Sequence, residues 1–175
     1  PCLMLEQSAD KIDYVNWLKL KISNWEFNPN KPLKQTRKIN KKTNKISHSY
    51  PIQTICHPVF IEFYNAFYNG NININFINKY FTKFSLAVWF MDDGTKSKNK
   101  NIIICSHDFT EEENKQLSQM IKNKFNIDSK VLKSNKYYYL SFNKENSIKL
   151  TELINDDVIP SMKYKLISPE TTKQS

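Results

Sequence analysis

The sequence predicts an α+β fold built from two units with a related order of elements. Short apolar segments with strand character alternate with longer segments whose apolar residues recur every three or four positions, the spacing of a helix face. The second half predicts the order helix, strand, helix, strand, strand, helix, and the first half follows the same order without its opening helix. Between them, residues 71–75 alternate Asn and Ile, which predicts a linker. We therefore expect domains at 1–75 and 76–175.

In the first half, the predicted elements are a strand, a helix, a hairpin and a second helix. Apolar residues at Ile12, Val15, Leu18 and Ile22 lie on one helix face. A later stripe of aromatic residues also has helical spacing, which is more typical of a core than of base stacking. The predicted bounds are a strand at 2–7, a helix within 9–25, strands at 33–39 and 46–55 around a turn at 40–44, and a buried helix at 59–68 with the stripe Phe60, Phe63, Tyr64 and Phe67.

The second half has clearer boundaries. Thr110 and Glu113 have the spacing of a capping box at the start of a helix, and Pro160 is expected to stop the chain from continuing a helix. One further strand is expected near Thr95. The predicted bounds are an apolar segment at 86–91, a strand at 101–106, a helix from 110, a strand pair at 130–132 and 137–142, and a helix at 144–154.

The charge favours a polyanionic partner, with nucleic acid ahead of a membrane surface. The 175 residues carry 26 basic and 17 acidic side chains, for a net charge of +9. Arg37 is the only arginine, and the lysine, Asn and Ile content as a whole is explained by codon usage in an AT-rich genome. Codon usage does not explain the clustering of charge, since no acidic residue occurs between Glu26 and Glu62. The basic cluster comprises Lys31, Lys34, Arg37, Lys38, Lys41, Lys42 and Lys45.

A solvated loop is the plain interpretation of this basic cluster, but we favour binding. A like-charged hairpin repels itself unless an anion lies against it, and a two-stranded ribbon fits the DNA major groove.

Cysteine and hydropathy patterns exclude several other classes. Cys2, Cys56 and Cys105 are far apart and lack zinc-ligand spacing, so a disulfide scaffold or structural zinc site is not expected. Such isolated cysteines are typical of small buried side chains, and His107, at a helix entrance, is expected to be structural. The sequence lacks the roughly 20 consecutive apolar residues of a membrane span, so no membrane partner is expected. The first residue is proline, which suggests a processed chain or a fragment.

The most informative segment is SLAVWFMDDGTK at 85–96. Two carboxylates, Asp92 and Asp93, follow its apolar run, where each anion at a helix C-terminus costs about 0.3–1 kcal/mol. A divalent metal would offset that cost, because carboxylates are the hard oxygen ligands that Mg²⁺ prefers. Without further context, an Asp-Gly turn after a buried helix is the simpler interpretation.

Three segments together supply that context. SLAVWFMDDGTK resembles the second copy of the LAGLIDADG motif of homing endonucleases, and the likeness continues through CSHDFTEEENKQLSQMIKNKFNI at 105–127 and IPSMKYKL at 159–166. The chain is most similar to the omega-type mitochondrial intron endonucleases of that family. The resemblance implies a pair of αββαββα repeats, the first truncated at its N-terminus, whose two motif helices each deliver an acidic residue to metals at the scissile phosphates.

By the resemblance, Asp93 is the catalytic acid and metal ligand, Asp92 a supporting metal ligand, and Lys165 a basic residue near the cleavage centre. The implied cofactor is Mg²⁺ or another divalent metal, and the implied partner is a double-stranded DNA target site. Two features depart from the pattern: no first motif helix precedes Cys2, and no lysine stands at the family's other basic position near 69–71, which leaves open whether Lys79 or Lys83 replaces it. Expected DNA contacts from strands are Lys34, Gln35, Thr36, Lys38, Gln53, Lys130 and Lys133.

Two functions from different classes are therefore expected. The first is a metal-dependent, intron-encoded DNA endonuclease, and the second is a non-cleaving module, either an RNA-binding intron maturase or a decayed endonuclease. A ribosomal protein is a third option that the DDG segment does not support. The resemblance and the AT-rich composition favour a mitochondrion, with a plastid second. An unpaired motif helix would also expose apolar surface, which predicts self-association.

Overall fold

The computed structural model of the chain describes residues 1–26, 30–68, 72–99 and 101–167. Two compact units are present, Pro1–Asn69 and Gly70–Ser175. Unit 1 contains β1 (Met4–Ser8), α1 (Ile12–Lys21), β2 (Thr36–Ile39), β3 (Ile46–Gln53) and α2 (Val59–Tyr68). Unit 2 contains α3 (Ile74–Tyr80), α4 (Lys83–Asp93), β4 (Gly94–Lys96), β5 (Ile102–Cys105), α5 (Glu111–Phe125), β6 (Lys130–Ser134), β7 (Tyr137–Ser141) and α6 (Lys144–Ile154). Short 3₁₀ turns occur at Ala9–Lys11, Ser23–Trp25 and Pro160–Lys165.

Unit 1 is an antiparallel sheet of order β1-β3-β2 with α1 against it. The predicted hairpin is confirmed, and its turn closes locally. The Asn40 side chain accepts hydrogen bonds from the backbone N–H groups of Lys42 (2.9 Å) and Thr43 (3.2 Å), and Asn44 adopts a left-handed backbone with φ of 51°. Asn tolerates both tasks well, which explains why a loop rich in lysine can still turn tightly. The core of the unit contains Tyr14, Val15 and Leu18 of α1 and Ile52 of β3.

Three predictions for unit 1 need correction. The helix expected within 9–25 is shorter: α1 spans Ile12–Lys21 between two 3₁₀ turns, and Ile12 is exposed. The helix at 59–68 is present but is not buried, since Ala66 is its only buried residue. Its aromatic stripe is largely exposed, with 55% of Tyr64 and 43% of Phe67 accessible. Helical spacing shows that these rings share one face but does not show what covers that face.

The expected linker is partly helical. Asn71 lies outside the described residues, but Ile74–Tyr80 forms α3, and the Asn73 side chain caps it by accepting the N–H of Phe76 at 3.1 Å. Ile72 and Ile77 are buried. Asn has a low helix propensity in helix interiors but is a strong N-cap, so the Asn-Ile alternation concealed a helix start.

Unit 2 is an antiparallel sheet of order β4-β5-β7-β6 with helices on one face. Ile102, Ile104 and Leu140 point to the helices and are fully buried, whereas alternate residues such as Ile103 and Tyr139 lie on the opposite, open face. The expected strand near Thr95 is β4, and the capping box of α5 is confirmed by reciprocal bonds between Thr110 and Glu113. The predicted strand pair and last helix are confirmed as β6, β7 and α6.

The two units share a topology in their common part. The order β1-β3-β2 of unit 1 matches β5-β7-β6 of unit 2, and α1 and α2 correspond to α5 and α6. Among the described residues, unit 1 holds no counterpart of α4 or β4. As expected, the last α-helix does not continue through Pro160: α6 ends at Ile154, and Pro160 begins a 3₁₀ turn. No helix within the described ranges combines the length and apolarity that a membrane crossing requires.

Candidate active site

The acidic motif lies at the corner between α4 and β4. Thr82 and Ser85 form a capping box that starts α4, and its Leu86, Ala87, Phe90 and Met91 are buried in unit 2. The helix ends at Asp93, which is exposed, while Asp92 is half-buried. Consecutive helical residues differ by about 100° around the axis, so the two carboxylates leave the helix in different directions.

Lys165 lies at the C-terminal end of α4. Its ammonium donates a 2.6 Å hydrogen bond to the backbone carbonyl oxygen of Met91, one of the last carbonyls of the helix. A cation at this position offsets the negative end of the helix dipole. The charge compensation that the sequence led us to expect from metal is therefore supplied at least in part by a side chain.

The carboxyl group of Asp93 is electrostatically perturbed. Partial burial raises its pKa above the ordinary value of 3.8, and nearby Asp108 adds to this effect. Lys165, a hydrogen bond from Trp89 one turn earlier in α4, and His107 act in the opposite direction without cancelling it. The site thus gathers an acid and a lysine around one partly desolvated carboxylate, which is typical of functional sites.

The end of β5 completes the site, which was not expected from sequence. Gly94 pairs with Ile104, and this register places Cys105 beside Asp93. Cys105 is half-buried, and its thiol pKa is raised by burial and by the Asp93 charge. His107 is exposed and contributes to the electrostatics of Asp93, and its ring lies 5.0 Å from the Tyr137 ring, which is consistent with the structural role expected of it. The pairing of β4 with β5 would have placed Cys105 near Asp93, but β4 is only three residues long, and its bounds could not be predicted from the sequence.

A buried asparagine holds the turn that carries His107 and Asp108. Asn114 of α5 is fully buried, and its amide nitrogen donates to the carbonyl oxygens of Phe109 at 3.1 Å and Thr110 at 2.9 Å. Its side-chain oxygen accepts a short hydrogen bond from the Ser106 hydroxyl. The turn is therefore fixed from its inner side.

The donor set at Asp93 fits part of a divalent metal site. Carboxylate oxygens are hard ligands suited to Mg²⁺ or a similar ion. Within the described parts of the chain, however, no three His, Cys, Asp or Glu side chains converge as a metal site would require. Asp93 can therefore supply one ligand, and the other ligands would come from a second acidic residue and from phosphate or water oxygens.

In unit 1 the predicted DNA-binding residues occupy several environments. Alternation places Thr36, Lys38 and Gln53 on the open face of the sheet, and Arg37 on the same face as buried Ile52. The remaining predicted contacts of unit 1 are exposed in the hairpin turn or in the segment before β2, namely Lys31, Lys34, Gln35, Lys41, Lys42 and Lys45.

The hairpin has an acidic neighbour that is distant in sequence. Glu6 of β1 forms a salt bridge with Lys38 at 2.6 Å and accepts a hydrogen bond from Ser49 at 2.5 Å. The absence of acids between Glu26 and Glu62 therefore overstates the repulsion within the ribbon, because the sheet brings in Glu6.

In unit 2 the two predicted strand lysines face opposite ways. Lys130 is exposed on the open face, opposite Ser141. Lys133 lies on the helix-facing side, with its ammonium 5.2 Å from the centre of the Tyr138 ring. The family's second basic position near 69–71 lies outside the described residues. Of the possible replacements, Lys83 is 3.4 Å from Asp157, and Lys79 lies over the Tyr80 ring.

Comparisons with known proteins agree with this architecture. The model of the LAGLIDADG DNA endonuclease family matches residues 1–150. The chain is 31% identical over 176 residues to the cytochrome b mRNA maturase bI2 of Saccharomyces cerevisiae, covering 94% of this chain and 41% of that protein. It is 31% identical over 126 residues to the probable intron-encoded DNA endonuclease 3 of Mycosarcoma maydis, covering 67% of this chain and 93% of that protein.

A solved structure supports the same fold. The homing endonuclease I-WcaI, determined bound to its DNA recognition sequence, superposes with a TM-score of 0.82 and 24% identity, covering 96% of this chain and 76% of that chain. The chain thus spans less than half the length of the Saccharomyces relative and about three quarters of the solved chain.

Proposed function

Because the chain belongs to the LAGLIDADG DNA endonuclease family, we propose that it forms part of an intron-encoded, site-specific endonuclease that hydrolyses phosphodiester bonds in double-stranded DNA. The observation that carries this proposal is the corner between α4 and β4, where the Lys165 ammonium binds the Met91 carbonyl oxygen and acts electrostatically on the Asp93 carboxylate. A carboxylate and a lysine at the end of a buried helix suit metal-assisted attack on a phosphate. The proposed cofactor is Mg²⁺.

Each residue of the corner has a distinct task. A bound divalent ion would supply polarisation of the phosphate and an acidified water. Asp93 would hold that ion through a carboxylate that α4 aims out of the core, and Asp92 would support it from the adjacent position. Lys165 brings positive charge to the place where the scissile phosphate gains negative charge, the arrangement that stabilises a phosphoryl transition state.

Binding of the duplex would use the open sheet faces and the hairpin turn. Lys38 and Gln53 lie on the open face of the first sheet, and Lys130 lies on the open face of the second. Lysines in the turn at 40–45 would contact phosphates, which makes affinity strongly salt-dependent. Lys133 is a weaker candidate for base readout than the sequence suggested, because its ammonium lies over Tyr138.

A second candidate function is supported by the relatives. Two of the similar proteins, from Saccharomyces cerevisiae and Debaryomyces hansenii, are named cytochrome b mRNA maturases. Splicing assistance would use the basic surface for intron RNA and would not require Asp93. These names also support a mitochondrial location.

Cleavage of a plasmid that carries the intronless host allele tests the proposal. The chain and a version extended upstream in its natural reading frame are compared with Mg²⁺, each also as Asp93→Asn. The matched control is Glu152→Gln, an exposed acid on α6. We expect cleavage that Asp93→Asn abolishes and Glu152→Gln retains, with DNA binding preserved in both variants. Tight binding of the host intron RNA with no cleavage by any version would instead favour a maturase or a decayed endonuclease.

A further inference from the structure

We propose that Lys96 is a positioning residue that holds Lys165 at the catalytic corner, an inference that rests on the proposed endonuclease function. Lys96 ends β4, three residues after Asp93. Its ammonium donates to the backbone carbonyl oxygens of Tyr164 at 3.1 Å and Leu166 at 3.3 Å. Tyr164 and Leu166 flank Lys165 on both sides. The Lys96 ammonium therefore holds the backbone on both sides of Lys165, an arrangement that we call the clamp.

The clamp acts on a short stretch that is also held by a backbone hydrogen bond from the Leu166 N–H to the Lys163 carbonyl oxygen at 3.0 Å. Met162 and Leu166 are buried, but Lys163 and Tyr164 between them are exposed, Tyr164 to 69%. Exposed side chains contribute little to fixing a short 3₁₀ turn, so the backbone at Lys165 depends on its hydrogen bonds. Lysine has three N–H donors, and bonds from a charged donor are stronger than neutral ones, so Lys96 can make both contacts at once.

Asp93, Lys96 and the carbonyl that Lys165 contacts all belong to the same corner between α4 and β4. Asp93 ends α4, Gly94 begins β4, and Lys96 ends that three-residue strand. Lys165 in turn reaches back to the Met91 carbonyl at 2.6 Å. A closed loop of contacts therefore runs from α4 through β4 and Lys96 to Lys165 and back to α4. These contacts set the position of the Lys165 ammonium relative to Asp93. Among the residues that make them, Lys96 is the charged one that does not itself take part in the reaction.

The test uses the version of the chain that cleaves DNA. Its single-turnover cleavage rate and its DNA affinity are measured separately. Since misplacement of a catalytic group by about 1 Å can cost about 10²-fold in rate, Lys96→Met should slow cleavage by about 10- to 100-fold with DNA affinity within about twofold. Lys96→Arg should recover much of the rate, because a guanidinium can also donate to two carbonyls. The matched control is Lys163→Met, an exposed lysine two residues before Lys165.

A double-mutant cycle separates positioning from a direct role. If Lys96 acts through Lys165, Lys96→Met should change the residual rate less than about twofold when Lys165 is already methionine. An equal loss in both backgrounds, or a loss explained by weaker DNA binding, would overturn the inference.

Amide hydrogen exchange gives a readout that does not need activity. Exchange at residues 163–166 should accelerate in Lys96→Met and not in Lys163→Met, with circular dichroism confirming that both variants are folded. Unchanged exchange would refute the clamp. If the wild-type protein does not cleave DNA, the proposed function fails, whereas accelerated exchange in Lys96→Met still supports the clamp itself.

Discussion

Replacing Gly94 by alanine should destabilise unit 2 through a purely steric effect. The backbone at Gly94 has φ of −78° and ψ of 143°, which any residue adopts, so alanine adds no backbone strain. A methyl group at this position would lie 2.8 Å from Cε2 of Phe90 and closer still to Cδ2 and to the carbonyl oxygen of the same residue. Phe90 is fully buried, and its carbonyl oxygen accepts the N–H of Gly94, so neither the ring nor the carbonyl group can move away freely.

The expected magnitude follows from two opposing effects. Overpacking of a well-packed site costs about 1–3 kcal/mol. Replacing a glycine by alanine lowers the conformational entropy of the unfolded chain, which stabilises the folded state by about 0.4–1 kcal/mol. The net loss in free energy of unfolding is therefore about 1–2 kcal/mol, which corresponds to a fall of about 0.5–1 M in the urea midpoint for an m-value near 2 kcal/mol/M.

Urea unfolding of Gly94→Ala, with Thr95→Ala as the matched control, provides the measurement. Thr95 is exposed, so its replacement should stay within about 0.5 kcal/mol of wild type. The cost of Gly94→Ala should shrink in a Phe90→Leu background, because the smaller side chain removes the ring contacts. A variant as stable as wild type, or a cost that is identical in both backgrounds, would refute the steric reasoning.

Three further outcomes are expected. Ser147→Ala should lower the free energy of unfolding by about 1–3 kcal/mol in urea titrations, because the buried Ile102 N–H donates to its hydroxyl at 2.8 Å and would lose its partner. Burial raises the pKa of Glu113, but hydrogen bonds that include one from the Thr110 N–H lower it more, so the pKa lies below 4.5. The ionised carboxylate therefore stabilises the fold above pH 4.5, and this stabilisation is lost on acidification. Glu113→Gln should lower the free energy of unfolding more at pH 7 than at pH 3 in urea titrations. Asn126 follows α5 as its C-cap with a left-handed φ of 56°, so Asn126→Val should lower the melting temperature, whereas Asn126→Gly should leave it nearly unchanged.

The elements that could be predicted from sequence are those whose signals are local. The hairpin turn contains its own polar turn residues, and the start of α5 depends on Thr110 and Glu113 alone. The start of α3 at Asn73 is equally local, but the Asn-Ile repeat is compatible with strand, linker and helix starts. The exposure of Tyr64 and Phe67 could not be predicted, because the composition of a helix face does not show what packs against it.

The expected self-association now rests on a different surface. The apolar residues of α4 are buried or half-buried, so this helix does not expose the surface that was expected of it. α2 exposes more apolar surface than α4 does: its aromatic face is largely accessible, and Tyr64 and Tyr68 on it are stacked with 5.4 Å between ring centres. Whether the protein associates stays a prediction, and any association should involve α2.

The candidate site shows where local signals end. Asp93 can be identified because its motif is contiguous in sequence. The position of Cys105 depends on strand register, and Lys165 reaches the corner from 74 residues beyond Met91. The role of Lys165 at the Met91 carbonyl changes the reasoning about metal. A helix that ends in two acids needs a cation, and the Lys165 ammonium meets at least part of that need within the protein itself. We therefore expect the folding of this corner to be insensitive to Mg²⁺, so that any metal requirement acts on the scissile phosphate and not on the assembly of α4 and β4.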